Sequence, residues 1–213
     1  MNRNVVIATV VVLLIAVVGF LAYQNFNKGK GPGASIDVSG QPMEGSKDAK
    51  VTVVAFEDFK CPVCKAYDTT IVPQIEQKYV STGKIKYYFV NFPFIGQDST
   101  TAANAGECVA EQSPAAFFDY VHILYRAQKE ETTEWATPSY LKELGQTLQG
   151  VDMTKFAACV DGNSHVDRVN ADKALATKLS VTFTPSVFVN GKLAGQRPDD
   201  VLPAIEAAVK AAQ

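Results

Sequence analysis

The chain has 213 residues, enough for one domain of ordinary size with a real core and an insertion. Its 20 basic and 22 acidic residues leave a formal net charge of −2. That balance supplies no field for nucleic acid and does not point to acidic substrates.

Val5 to Tyr23 is an uncharged stretch of 19 residues. At about 1.5 Å per residue it spans roughly 28 Å, close to a bilayer's hydrocarbon thickness. It is longer than the apolar core of a secretory signal, and no small-x-small cleavage pattern follows it. Residues 1–24 are therefore read as a membrane anchor or uncleaved signal. Residues 25–45, with Lys-Gly-Lys-Gly-Pro-Gly at their start, are read as a flexible tether. Arg3 on one side and Lys28 and Lys30 on the other do not fix the orientation by charge. The four cysteines, one pair closely spaced and one pair distant, fit an oxidising compartment, which places the bulk of the chain outside the cytoplasmic membrane.

Val51 to Phe59 is β-branched and free of breakers, and is expected to be a buried strand. Cys61 to about Thr82 has helical spacing, with a kink expected at Pro73 and a stop at Gly83. Lys84 to Phe92 is a second strand, closed by Pro93. A strand, a helix and a strand of these lengths make a right-handed crossover between parallel strands. These elements make up a segment of residues 46–98.

Residues 99–179 carry only helical patterns, at Thr101–Glu111, Ala115–Gln128, Ser139–Gln149, Thr154–Asp161 and Ser164–Leu179. In residues 180–213, Ser186–Asn190 and Lys192-Leu193 flank Asn190-Gly191, a strong hairpin signal, and an amphipathic tail runs from Asp199 to Ala212. The order predicts a mixed α/β fold, the thioredoxin fold with an inserted helical domain, preceded by the transmembrane helix.

Cys61-Pro62-Val63-Cys64 falls between the first strand and the first helix. The first turn of a helix has unpaired N–H groups and the positive end of its dipole, so a thiolate at Cys61 is favoured there. Proline at the next position matches the first helical residue and needs no N–H. Cys64 lies about one turn on, within reach for a disulfide. The motif points to electron exchange through sulfur.

Val51 to Cys64 (Val-Thr-Val-Val-Ala-Phe-Glu-Asp-Phe-Lys-Cys-Pro-Val-Cys) and Val181 to Gly191 (Val-Thr-Phe-Thr-Pro-Ser-Val-Phe-Val-Asn-Gly), at this separation and with the helical block between, closely resemble the DsbA-like thiol:disulfide oxidoreductases, in particular their membrane-anchored, BdbD-like branch. The resemblance covers about Gly45 to the C-terminus. It implies that Pro185 is a cis-proline packed beside the redox pair and that the Thr184 backbone pairs with an extended substrate segment.

It further implies a disulfide oxidase acting on reduced, unfolded exported proteins. Such an oxidase is recharged by an integral membrane, quinone-linked thiol oxidase of the DsbB or VKOR type. No organic cofactor and no metal is expected, and the protein is expected to be a monomer. The rival readings are a reductase or isomerase of the same fold, and a non-catalytic peptide-binding module.

The sequence departs from the family pattern at two positions. Many relatives carry a buried acid six residues before the first cysteine, where this chain has Ala55. Glu57 lies on the same side of the strand and is either a proton relay at longer reach or a strand-end carboxylate in solvent. Val63 stands where some strongly oxidising relatives have histidine. Each pKa unit of thiolate stabilisation is about 1.4 kcal/mol, or roughly 30 mV for this couple, so a less oxidising pair is expected. Lys60 and Lys65 are expected to be exposed and to contribute little.

Cys108 and Cys159 are read as a structural disulfide, worth at most about 4 kcal/mol in the chain-entropy model. The alternatives are a second redox relay and a four-cysteine zinc site. His122 and His165 are placed on helix surfaces, and Trp135 is read as the packing anchor of its loop. Phe117, Phe118, Tyr120, Val121, Leu124 and Tyr125 are read as core. Phe92, Pro93 and Phe94 loosely resemble the family's groove edge.

Overall fold

The computed structural model describes residues 35–195 and 197–213. The expected membrane helix and residues 25–34 of the tether lie outside them. Among the described residues no helix is long and apolar enough to cross a membrane.

The centre of the sheet is the parallel pair β2 (Val51–Glu57) and β3 (Ile85–Asn91), in register from Val51 opposite Ile85 to Glu57 opposite Asn91. On its other side β2 pairs antiparallel with β4 (Ser186–Val189), which turns into β5 (Lys192–Leu193). The turn residues Asn190 and Gly191 have φ of +49° and +75°, the region that asparagine and glycine tolerate best.

A fifth strand corrects the expected end of the tether. β1 (Met43–Gly45) pairs antiparallel with β3, giving the order β1-β3-β2-β4-β5. Three residues are too few to show alternation, and they follow a stretch rich in glycine and proline. Gly45 makes this edge possible: its φ is +90°, and a Cβ there would stand 2.3 Å from the Ile85 carbonyl oxygen.

The crossover from β2 to β3 consists of α1 (Pro62–Thr70), α2 (Val72–Ile75) and a π-helical turn (Glu76–Val80). The interruption falls at Ile71, two residues before Pro73, which has no N–H to donate to the preceding turn. The segment ends at Gly83, whose φ is +66°.

Between β3 and β4 lie α3 (Gln97–Ala110), α4 (Pro114–Ala127), α5 (Pro138–Gly145), α6 (Met153–Asp161) and α7 (Val166–Lys178). The starts of α4, α5 and α6 are capped by side chains. Ser113 Oγ accepts from Ala116 N, Thr137 from Tyr140 N, and Asp152 from Thr154 N and Lys155 N. A disulfide joins Cys108 on α3 to Cys159 on α6 and closes a loop of sequence separation 51.

The alternation of β2 separates two cores. Val51, Val53 and Ala55 pack with α1 and with Val201, Ile205 and Val209 of the C-terminal helix α8 (Val201–Ala211). Val54, Phe56 and Val90 pack on the other face with Ala176 of α7 and with Val181. The aromatic run of α4 is core, as expected. Phe117 meets Phe89 edge-on at 5.3 Å, Phe89 stacks on Phe59 at 5.4 Å, and Tyr125 tilts against Phe59. Trp135 is buried with its ring edge-on to Tyr140.

Candidate active site

Cys61 is the N-cap of α1, in extended conformation with φ −71° and ψ 119°. Its N–H donates to the Asp58 carbonyl at 2.9 Å, and its carbonyl accepts from Lys65 N at 3.1 Å. Cys61 is 7% exposed and Cys64 is 0% exposed, so only Cys61 can meet another protein. Both are present as thiols. Pro62 and Val63 face solvent, with Val63 46% exposed beside the reactive sulfur.

The two sulfurs are driven apart in acidity. The Cys61 thiol is lowered to about 6, first by a hydrogen bond from the Cys64 thiol. Burial opposes this, while the Thr184 hydroxyl and the N–H groups of Cys64 and Val63 add to it. The partner thiol stands ahead of either helix N–H taken singly. The Cys64 thiol is pushed well up, by burial first, then by its bond to Cys61 and by the nearby Glu57 charge.

Thr184-Pro185 is a cis peptide, as the resemblance implies. The loop before β4 brings the Thr184 carbonyl within 3.4 Å of Cys61 Sγ. Thr184 is buried beside Cys61.

Glu57 is not a carboxylate in solvent. It is 2% exposed and lies on the same face of β2 as Ala55, in the interior that holds Cys61 and Cys64. Tyr125 Oη donates to Glu57 Oε2 at 2.9 Å, and Tyr87 Oη stands 3.4 Å from Oε1 and 3.3 Å from Tyr67 Oη. Burial, then the Asp68 charge, raises its carboxyl to about 8, partly offset by the tyrosine hydroxyls.

Because the folded carboxyl holds its proton more tightly than the unfolded one, its contribution to stability falls as pH rises from about 4.5 to about 8. Glu57→Gln is therefore expected to flatten the pH dependence of the urea midpoint across that window. Glu44 and Glu107, each raised to about 7 by burial, keep part of the slope. An unchanged profile would mean that Glu57 titrates as it does in the unfolded chain.

Lys60 corrects the expectation of an exposed side chain. It is 3% exposed, and its Nζ pairs with Asp98 Oδ1 at 2.7 Å. Asp98 Oδ2 accepts from the N–H groups of Trp135 and Ala136 at 3.0 and 3.2 Å. Asp58 acts similarly: one oxygen accepts Lys60 N, the other Phe94 N and Ile95 N. These bonds place Phe94, 52% exposed, just past the end of β3, its ring tilted against that of the half-buried Phe92. Asp58 lies three residues before Cys61 and Asp98 in the first turn of α3, and apart from Lys60 N the groups bonded to Asp58 and Asp98 are remote in sequence.

His122, on α4, is half-buried and bonded rather than free on the helix surface. Its Nδ1 lies 2.7 Å from Asp68 Oδ1 and its Nε2 3.0 Å from Glu76 Oε1, and these two bonds raise it to about 10. His165 precedes α7 and pairs with Glu111 at 3.1 Å.

One group among the described residues has donor atoms suited to a metal. Cys108, Cys159 and His165 lie close together, but the sulfurs are bonded to each other. Away from the redox pair, Asn91 and Gln41 bond the buried carboxylates of Glu107 and Asp172, and the oxygens Gln41 Oε1 and Asn91 Oδ1 have no partner. Arg168 also pairs with Glu107 at 3.1 Å, so these carboxylates are held by amide and guanidinium donors.

The thioredoxin family's sequence model matches residues 37–207. The probable disulfide bond formation protein D of Bacillus cereus is 37% identical over 215 residues, covering 99% of this chain and 100% of the relative. Disulfide bond formation protein D of Bacillus subtilis is 35% identical, covering 73% of this chain and 70% of its own length. The crystal structure of oxidised BdbD from Bacillus subtilis superposes with a TM-score of 0.78 at 32% identity, covering 84% of this chain and 97% of that one. Chlamydia trachomatis DsbA, at 21% identity and a TM-score of 0.74, shares the fold.

Proposed function

This chain belongs to the thioredoxin family, among its DsbA-like thiol:disulfide oxidoreductases, and from that membership we propose that it is an oxidase donating its Cys61–Cys64 disulfide to exported proteins. The observation that carries the direction is the split between an accessible thiol lowered to about 6 and a buried one pushed well up. A stabilised thiolate at Cys61 favours the reduced enzyme, and so makes its disulfide a ready oxidant.

The exchange proceeds in two displacements. A substrate thiolate attacks Cys61 Sγ, the Cys61–Cys64 bond breaks, and Cys64 leaves with the electron pair. A second substrate thiolate then attacks the substrate sulfur of the mixed disulfide, and Cys61 leaves as the stabilised thiolate. Two substrate thiols are oxidised and the enzyme pair gains two electrons. Thr184 and Pro185, beside Cys61, hold the substrate segment during the first step.

Cys64 leaves into a buried site where a charge is costly and needs a proton. Glu57, protonated up to about pH 8, is placed to supply it, taking the role of the acid that Ala55 lacks. All redox steps balance on protein sulfur, so the reaction calls for no organic cofactor.

Recharging falls to an integral membrane, quinone-linked thiol oxidase of the DsbB or VKOR type, with the chain anchored by residues 5–23 and its catalytic part outside the cytoplasmic membrane. The uncharged stretch and the formed Cys108–Cys159 disulfide support that location. In intact cells, a thiol reagent unable to cross membranes is expected to label Cys61 after mild reduction; labelling only after lysis would contradict the location.

The oxidase reading is tested by equilibrating the full chain with glutathione and then offering it a reduced, unfolded protein. A potential well above thioredoxin's, about −270 mV, is expected together with substrate oxidation. A value as low as thioredoxin's would turn the reading into a reductase.

A further inference from the structure

Gln128 closes α4 and leaves the helix with φ −56° and ψ 132°. Its side-chain nitrogen donates to the Phe59 carbonyl at 2.7 Å and to the Cys61 carbonyl at 3.1 Å. Its own carbonyl accepts Lys65 Nζ at 3.3 Å. One residue of the helical insertion thus bonds the chain two residues before the reactive cysteine, at that cysteine and one turn beyond it. Both partners of the side chain are carbonyls, so the amide must present its NH₂ to them, and two N–H groups can serve two acceptors at once.

We propose that Gln128 is a positioning residue of the redox reaction, holding Cys61 at the mouth of α1 by clamping the Phe59–Lys60 and Cys61–Pro62 peptide groups through their carbonyls. The N-cap sulfur gains from the N–H groups of Val63 and Cys64 only while Cys61 keeps its extended conformation above the first turn. Within α1 the Cys61 carbonyl is bonded to Lys65 N alone, a bond in the fraying first turn. Gln128 adds a second hold from outside the helix, so the insertion helps set the electron chemistry of the thioredoxin part as well as shaping the surface around it.

The inference rests on the reading of Cys61 as the attacking thiolate, and its test separates the two. The full chain is prepared as wild type, Gln128→Met, which keeps volume but has no donor, and Gln128→Glu, whose carboxylate can only accept. The Cys61 thiol is titrated, the glutathione equilibrium measured, and thermal midpoints taken for both redox forms.

Gln128→Met is expected to raise the thiol pKa by half a unit or more. That moves the glutathione equilibrium about threefold or more toward the enzyme disulfide. Gln128→Glu should move both further, because it adds a negative charge beside the thiolate, and the reduced form should lose more thermal stability than the oxidised one. If Gln128→Met does not fold, Gln128→Asn, which keeps the donors but shortens their reach, reads the same shift.

A variant that folds with wild-type titration and equilibrium, its two midpoints lowered equally, would overturn the clamp and leave Gln128 a packing residue. A wild-type thiol that itself titrates near 8.5 would instead remove the thiolate reading on which the clamp depends.

Discussion

Cys64→Ala is expected to raise the Cys61 thiol from about 6 by more than one unit, toward the ordinary cysteine value of about 8.5. The Cys64 thiol is the largest single influence lowering Cys61, ahead of the Thr184 hydroxyl and the helix N–H groups. Alanine removes that donor and puts nothing in its place. Alkylation of Cys61 near pH 6 should therefore slow by about tenfold, in proportion to the lost thiolate.

Cys64→Ser separates this effect from packing. Its hydroxyl can donate to the thiolate, so Cys61 should stay more acidic than in the alanine variant. Both variants lose the disulfide and hence oxidase turnover, so the informative readout is the titration of the remaining thiol. An alanine variant that still titrates near 6 would show that the backbone dipoles suffice without the partner thiol.

Asp98→Ala carries the largest expected loss of stability. Asp98 is the partner of the buried Lys60 ammonium and also accepts the N–H groups of Trp135 and Ala136. Truncation leaves a charge and two amides in the interior without acceptors. Breaking a buried pair from one side costs about 3–5 kcal/mol, which for a domain of this size lowers the thermal midpoint by roughly 10 °C. Lys60→Met should cost less, because Asp98 would keep its two backbone donors and methionine would fill the space. Equal losses in the two variants, or a loss below about 1 kcal/mol in Asp98→Ala, would contradict this ordering.

Much of the fold was legible because its signals are local. The alternation and β-branching of Val51–Glu57, the Cys-Pro start of α1, and Asn190-Gly191 in the hairpin each carry their conformation in adjacent residues. The inserted helices were marked by periodicity.

What escaped depends on partners remote in sequence. Lys60 looks like any solvated lysine until Asp98, 38 residues on, is folded against it. His122 finds Asp68 and Glu76 only through the packing of α4 on α1 and the π-helical turn. The tyrosines around Glu57 come from β3, α1 and α4, and no periodicity announces that two hydroxyls meet its carboxyl while a third meets one of them. β1 was missed for a different reason: its hydrogen bonds are supplied by β3, while its own three residues hold no pattern.

The site was legible in part by the same division. Cys61, Cys64 and Pro185 announce themselves in sequence, and resemblance supplied the cis peptide at Pro185. That Cys64 outweighs either helix N–H taken singly in acidifying Cys61 is a matter of angstroms between two sulfurs, which spacing alone does not resolve.

The most direct measurement is a titration of the Cys61 thiol in the reduced full-length protein, followed by thiolate absorbance with Cys64 intact. An inflection at about 6 is the expected result. An inflection near 8.5 would contradict the account, because neither the leaving ability of Cys61 nor the oxidising direction of the exchange would then have a physical cause.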